Sequence, residues 1–181
     1  MTPRLSLKAR ALQLLALREH SRLELRRKLL AYATQQMAGT AKPEAAAEPA
    51  GAATFARRLP PTAGMQADVD SLLDWLTEKG HLSEARFVDA RVRTRAVRLG
   101  NLRIHQELAQ HGLQLGPEEE QALRDGEMVR ARQVWARKFG ALASDAAGRA
   151  RQQRFLAGRG FSADVIRRVI KGGDDEADEL S

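Results

Sequence analysis

Apolar residues recur at helical spacing along this chain, in short segments that glycine, proline and capping residues separate. The first segment covers roughly residues 5–19. Ser21 and Glu24 then have the spacing of a capping box at the start of the next helix. Gly80 is placed to end a later helix, and Ser83 to cap the one that follows. The pattern yields no convincing strand and predicts an all-α fold of about nine short helices.

Further signals mark the helix boundaries in the second half of the chain. Leu82 and Phe87 have the spacing of a hydrophobic staple around their cap. Asn101 is placed to cap a helix, and Pro117 lies at a first-turn position, which proline favours. Five apolar residues on the helix after Ser83 follow helical spacing, which predicts a buried seam. They are Ala85, Val88, Val92, Ala96 and Leu99.

The later helices repeat one another at a spacing of 46 to 48 residues. A shift of 46 places "KGHLSEARFVDARVR" on "DGEMVRARQVWARKF", which aligns Gly80 with Gly126 and Arg91 with Arg137. A shift of 48 aligns Gly112 with Gly160, and a shift of 79 places "LELRRKLL" on "LRIHQELA". Because so small a unit buries its own apolar face poorly, neighbouring copies must stack. We predict an elongated, curved array of three tandem three-helix repeats.

The repeats and the breakers between them divide the chain into six segments. One of these, residues 37–67, is rich in alanine, proline and glycine and lacks a sustained apolar seam, so it is predicted to be an insertion or flexible linker. The predicted segments are 1–36 (two helices of repeat 1), 37–67 (insertion), 68–82 (third helix of repeat 1), 83–126 (repeat 2), 127–171 (repeat 3) and 172–181 (acidic tail).

Charge is distributed unevenly around a net value of +7. The last ten residues contain five acidic side chains and no basic one, so residues 1–171 carry a net charge of +12. A basic body with an acidic tail favours a polyanionic or acidic partner, with the tail as solubiliser or competitor. The alternative is a solvated basic surface without a binding role. The chain has no cysteine and no apolar run long enough to cross a membrane, which excludes disulfides and predicts no membrane partner.

Side chains that commonly carry catalysis show no recognisable arrangement. The four histidines lack the spacing of a metal-binding helix, and neither a phosphate-binding glycine loop nor a nucleophile motif occurs. The sequence therefore predicts no catalytic residue, no metal site, no cofactor and no small-molecule substrate. We expect a protein that is not an enzyme.

Arginine and lysine residues are instead concentrated on two predicted helices. On the helix after Ser83, Arg91, Arg95 and Arg98 fall within about 60° of arc. Guanidinium groups suit phosphates and carboxylates, although their stems could equally cover apolar seams with the charged heads in water. Aromatics make up only 4%, so nucleic-acid binding would be backbone-directed and salt-sensitive. The predicted partner- or DNA-binding residues are Arg22, Arg26, Arg27, Lys28, Arg91, Arg95, Arg98 and Arg103.

Short motifs follow one another in a fixed order along most of the chain. They are Arg18 and Ser21 before Glu24, Leu25, Lys28 and Leu29; a joint from Gly80 to Phe87; Gly100, Ile104, Glu107 and Leu108; and finally Arg159, Gly160 and Phe161. In this order they resemble the RecX family, the bacterial regulators of the RecA recombinase. The joint departs from the family pattern at Ser83, Glu84 and Val88, and the insertion is longer than usual.

The resemblance implies a cytoplasmic, non-enzymatic modulator. Such a protein would bind RecA and its DNA filament and restrain ATP hydrolysis, strand exchange and filament growth in recombination and DNA repair. Single- or double-stranded DNA is a further partner that the basic body would suit. Two alternatives stay open: a general, backbone-directed nucleic-acid-binding protein that affects recombination indirectly, and a helical-repeat adaptor for another protein.

Overall fold

A computed structural model describes residues 5–38 and 60–178 of the chain. These residues form nine α-helices and no strand, so the predicted all-α class and the helix number are confirmed for the described part. No described helix is long and apolar enough to span a membrane. The helices are α1 (Leu7–Leu17), α2 (Arg22–Ala38), α3 (Ala63–Glu78), α4 (Glu84–Ala96), α5 (Asn101–Ala109), α6 (Pro117–Asp125), α7 (Glu127–Phe139), α8 (Ala146–Gly158) and α9 (Ala163–Asp178).

The chain divides into two compact units, Met1–Phe87 and Val88–Ser181, called here the N-terminal and C-terminal units. In the N-terminal unit, α1, α2 and α3 bury a leucine-rich core. Its buried residues are Ala11, Leu25, Leu29, Val69, Leu73, Leu76 and Leu82. In the C-terminal unit, α7, α8 and α9 bury a second core. Its buried residues are Ala131, Val134, Leu156, Phe161, Val165, Ile166, Val169 and Ile170.

Two helices of the C-terminal unit end in the same left-handed glycine turn. Gly112 and Gly160, which the 48-residue shift aligns, have φ angles of 71° and 80°. In each turn the residue after the glycine donates its amide to a leucine carbonyl five positions earlier, Leu108 at 3.1 Å and Leu156 at 3.3 Å. Both leucines are completely buried. The two helices that the 48-residue shift aligns therefore end in the same way.

The glycines that the 46-residue shift aligns have different conformations. Gly80 adopts the predicted left-handed conformation, with φ of 71°. Gly126 has φ of −82° and joins α6 directly to α7. Because α7 begins at the next residue, no left-handed reversal of the backbone is needed there. The aligned helices therefore follow the same order along the chain, but the connections between them differ in backbone conformation.

Most predicted caps are present. Ser21 Oγ accepts a hydrogen bond from the Glu24 amide at 3.1 Å, and Ser83 Oγ accepts from the Arg86 amide at 3.3 Å. The prediction for Asn101 was wrong, because this residue is the first of α5 and is buried. Its amide donates to a Glu127 carboxylate oxygen at 3.1 Å, so a distant glutamate replaces the expected local cap.

The predicted seam on α4 and the start of α3 also need correction. Ala85 is exposed, the other four seam residues are only half-buried, and Phe87 is the buried residue of α4. Helix α3 begins at Ala63, five residues earlier than predicted, because Thr62 Oγ1 accepts a hydrogen bond from the Met65 amide at 3.3 Å. Residues 39–59 of the predicted insertion lie outside the described residues, as do the acidic side chains of residues 172–181.

Candidate basic interfaces

Two arginines of α2 are held by carboxylates of α3. Arg22 Nη2 lies 2.6 Å from Asp74 Oδ1, and Arg26 donates to both oxygens of Asp70 at 2.6 and 2.9 Å. The Arg26 hydrogen bonds lower the pKa of the Asp70 carboxyl, and the same contact raises the pKa of Arg26. Predicted binding residues Arg22 and Arg26 are thus paired across the N-terminal unit, where they join two helices.

The other two predicted residues of α2 have different surroundings. Lys28 Nζ lies 3.1 Å from Glu24 Oε1 and 2.9 Å from His20 Nε2. Arg27 is exposed and has no ion-pair partner among the described residues. Of the four basic residues predicted on α2, Arg27 presents the least compensated charge.

A cluster of charged side chains surrounds His20, which is 1% exposed. Its Nδ1 donates to the Arg18 carbonyl at 2.9 Å, so Nε2 is the acceptor for the Lys28 ammonium group, which can only donate. Burial lowers the pKa of His20, and the Arg18 and Lys28 charges act in the same direction. Burial alone would raise the pKa of Glu24, but hydrogen bonds from Arg18 and Lys28 outweigh it and hold that pKa at about 2.

We expect this cluster to destabilise the N-terminal unit in acid in two stages. His20 and Glu24 both have a lower pKa in the folded protein than in the unfolded chain. The unfolded chain therefore binds more protons, and the free energy of unfolding decreases as the pH falls. His20 acts as the pH falls below its ordinary value of 6.5, and Glu24 acts between about pH 4.5 and 2, where it contributes about 2 kcal/mol. Urea unfolding of a Trp135→Phe variant, followed through Trp75, measures the effect.

Matched variants separate the two stages. His20→Asn should flatten the pH dependence just below pH 6.5, and Glu24→Gln should flatten it below pH 4.5. Both variants are less stable than the wild type at pH 7, because each removes a buried partner. Unchanged slopes in both variants would show that the cluster does not control acid stability.

In the C-terminal unit, two residues of the predicted arginine stripe contact neighbouring polar side chains. Arg91 Nη2 lies 3.2 Å from His111 Nε2. Arg95 Nε lies 2.8 Å from Glu107 Oε2, in an ion pair without the alignment of a hydrogen bond. Both arginines are half-buried. The stripe is therefore not a uniform exposed surface, although its residues do lie on one helix and its extension.

The third stripe residue, Arg98, lies at a cleft of about 250 Å³ in the C-terminal unit. Arg137 and Lys138 in the last turn of α7, and Arg159 at the end of α8, line the same cleft. We call these four residues and the space between them the basic cleft. Arg103, the last predicted residue, is exposed on α5 and does not line it.

The positive charge of the basic cleft is not neutralised by any acidic side chain among the described residues. No acidic side chain lines it, and none of its four cations forms an ion pair with a described carboxylate. The helix C-termini at which these cations lie favour positive charge. Four uncompensated cations nevertheless repel one another and attract an anion. Residues 88–171 contain 17 basic and 9 acidic side chains, so the surrounding unit adds to this field.

Three cleft residues are absent from the sequence-based set. Arg137 could have been found, because the 46-residue shift aligns it with Arg91. Arg159 lies within the Arg-Gly-Phe motif but carried no binding prediction. Lys138 had no sequence signal. The convergence of these three residues depends on how three helix ends pack, which no local sequence pattern encodes.

No group of three or more His, Asp or Glu side chains that could hold a metal occurs in the described residues.

Similar proteins cover nearly the whole chain. Residues 125–170 match the family model of the third three-helix domain of RecX, which overlaps the predicted third repeat. A protein named Regulatory protein RecX from Leptothrix cholodnii is 42% identical over 178 residues, covering 97% of this chain and 94% of the relative. Proteins of the same name from Ralstonia nicotianae (41%, 97% and 94% covered) and Pseudomonas entomophila (39%, 91% and 89% covered) are also similar.

Proposed function

Because this chain belongs to the RecX family of regulatory proteins, we propose that it binds the RecA recombinase and its DNA filament. There it restrains ATP hydrolysis, strand exchange and filament growth in recombination and DNA repair. The observation that carries this proposal is the match to regulatory relatives over 97% of the chain. We place the protein in the cytoplasm, where such a filament forms, and assign it no catalytic step of its own.

The geometry supports a narrower set of contact residues than the sequence does. Arg22, Arg26 and Arg95 are paired with carboxylates inside their own units, so they stabilise the fold more than they offer charge to a partner. Arg27, Arg98 and Arg103 are exposed. We propose that these three, with the remaining cations of the basic cleft, make the contacts with the filament.

Backbone-directed nucleic-acid binding is a second candidate function. The excess of basic side chains in residues 88–171 favours it, since clustered cations bind phosphates without sequence preference. This function would alter recombination indirectly, by competing for DNA. The two candidates differ in whether RecA is contacted directly.

We expect sub-stoichiometric protein to slow ATP hydrolysis by the cognate RecA on single-stranded DNA. A protein that contacts several recombinase subunits of one filament should affect them together, so inhibition should begin below one copy per RecA. A coupled assay of ATP hydrolysis across a range of protein-to-RecA ratios measures this. The absence of any effect up to saturation would rule out direct modulation.

Salt dependence separates the two candidates. If DNA is the main partner, DNA affinity falls steeply with salt and RecA is not captured in the absence of DNA. If RecA is the main partner, the immobilised protein captures RecA without DNA. In that case inhibition is retained at salt concentrations that abolish DNA binding.

A further inference from the structure

The lining of the basic cleft is partly apolar. Val97, Val134 and Phe155 line it together with the four basic side chains. Val97 is 53% exposed, whereas Val134 is 8% exposed and belongs to the core of the unit. An apolar surface within a polar rim is typical of a recognition site. The cleft therefore combines anion attraction with a place for an apolar group.

The one aromatic ring in the cleft is already in contact with other side chains. The Arg159 guanidinium carbon lies 3.7 Å from the centroid of the Phe155 ring, so it covers one ring face. Phe139 contacts the same ring edge-to-face, with centroids 5.0 Å apart. Stacking of a nucleic-acid base needs an open ring face. The arrangement thus disfavours base stacking and leaves Val97 as the exposed apolar contact in the cleft.

We propose that the basic cleft binds an acidic segment of a partner protein, which places one aliphatic side chain against Val97. Carboxylates of that segment pair with Arg98, Arg137 and Lys138. The aliphatic side chain covers the exposed valine, which a phosphate backbone would leave in water. This inference deepens the proposed function, on which it rests for the expectation that the partner is a protein.

A labelled peptide tests the cleft directly. The probe is a fluorescein-labelled peptide with one central leucine flanked on each side by four glutamates, and fluorescence anisotropy with the full chain gives its affinity. We expect replacement of the leucine by alanine to weaken binding by about tenfold, the value of burying a few methylene groups. We expect Arg137→Glu combined with Lys138→Glu to weaken it by at least about tenfold.

The matched control changes the same charge elsewhere. Arg132 and Arg151 are exposed on α7 and α8 and do not line the cleft. Arg132→Glu combined with Arg151→Glu should change peptide affinity by less than about threefold at physiological salt, because screening weakens distant charges. Circular dichroism and urea unfolding check that both double variants are folded.

Several outcomes would overturn the inference. Equal affinity for the leucine and alanine peptides would show that no apolar contact contributes to binding. An equal loss of affinity in both double variants would show that the net charge of the protein, and not the cleft, binds the peptide. Tighter binding of an oligodeoxythymidylate, with the same dependence on Arg137 and Lys138, assigns the cleft to nucleic acid. If the peptide does not bind while RecA inhibition persists, the cleft does not bind an acidic segment and the proposed function stands. If inhibition fails while the peptide binds, only the proposed function fails.

Discussion

An alanine at position 100 is expected to destabilise the C-terminal unit by about 3 kcal/mol or more. Gly100 is buried where two backbone segments meet. Its amide donates to the Arg159 carbonyl at 2.9 Å, and the Leu102 amide donates to the Gly160 carbonyl at 3.0 Å. A β-carbon on Gly100 would lie closer than 3.0 Å to backbone atoms of Gly160 and Phe161. Since backbone cannot rotate away as a side chain can, both hydrogen bonds must be disturbed.

Two other glycines of the same unit provide controls. Gly112 has the same left-handed turn as Gly160 but open space around it, so Gly112→Ala should cost about 1–2 kcal/mol from backbone conformation alone. Gly158 is helical and also open, so Gly158→Ala should stabilise by about 0.5–1 kcal/mol. Urea unfolding followed through Trp135 in a Trp75→Phe background measures all three. A Gly100→Ala variant no less stable than Gly112→Ala would contradict the close backbone packing.

Removal of the Glu127 carboxylate is the second large effect that we expect. Glu127 is 5% exposed at the start of α7. Its oxygens accept from the Asn101 amide at 3.1 Å and from the Ser162 amide and hydroxyl at 3.2 and 3.0 Å. One side chain thus caps the beginnings of both α5 and α9. In Glu127→Ala these donors lose their acceptor, which should cost about 3 kcal/mol.

Conservative and distant variants test whether this effect arises from the caps. Glu127→Gln keeps one acceptor oxygen and should cost about 1 kcal/mol, since a neutral amide interacts less with helix N-termini. Glu118 also lies in the first turn of a helix, α6, but is exposed. Glu118→Ala should therefore cost less than about 1 kcal/mol. Hydrogen exchange should show the first turns of α5 and α9 opening in Glu127→Ala, and protection equal to the wild type there would contradict the assignment.

Local signals made the helices and several of their boundaries predictable. Ser21, Ser83 and Gly80 act within a few residues of the chain, so their caps and turn could be read from sequence spacing. The 48-residue repeat was also visible, because Gly112 and Gly160 occupy equivalent turns. Such caps and turns are formed by residues a few positions apart, so the residues that cause them can be recognised in the sequence.

Contacts between residues distant in sequence were not predictable. Arg22 and Arg26 looked like a binding surface because nothing in the sequence indicates their carboxylates on α3, 52 and 44 residues away. Asn101 was predicted to cap α5, but the acceptor for its amide is Glu127. This glutamate lies 26 residues away, so the local sequence gives no sign of the contact. The sequence supplied the basic residues, whereas the packing of helices decided which of them are paired and which face a cleft.

A titration of RecA ATP hydrolysis on single-stranded DNA with two triple variants tests whether the basic cleft contacts the filament. One variant carries glutamate at Arg98, Arg137 and Lys138; the control carries glutamate at three exposed arginines outside the cleft, Arg132, Arg151 and Arg154. We predict that wild type and control inhibit at sub-stoichiometric ratios, and that the cleft variant needs at least about tenfold more protein. Inhibition by the cleft variant at wild-type concentrations would exclude the basic cleft as the contact surface. No inhibition by the wild type at any ratio would exclude the proposed regulation of RecA.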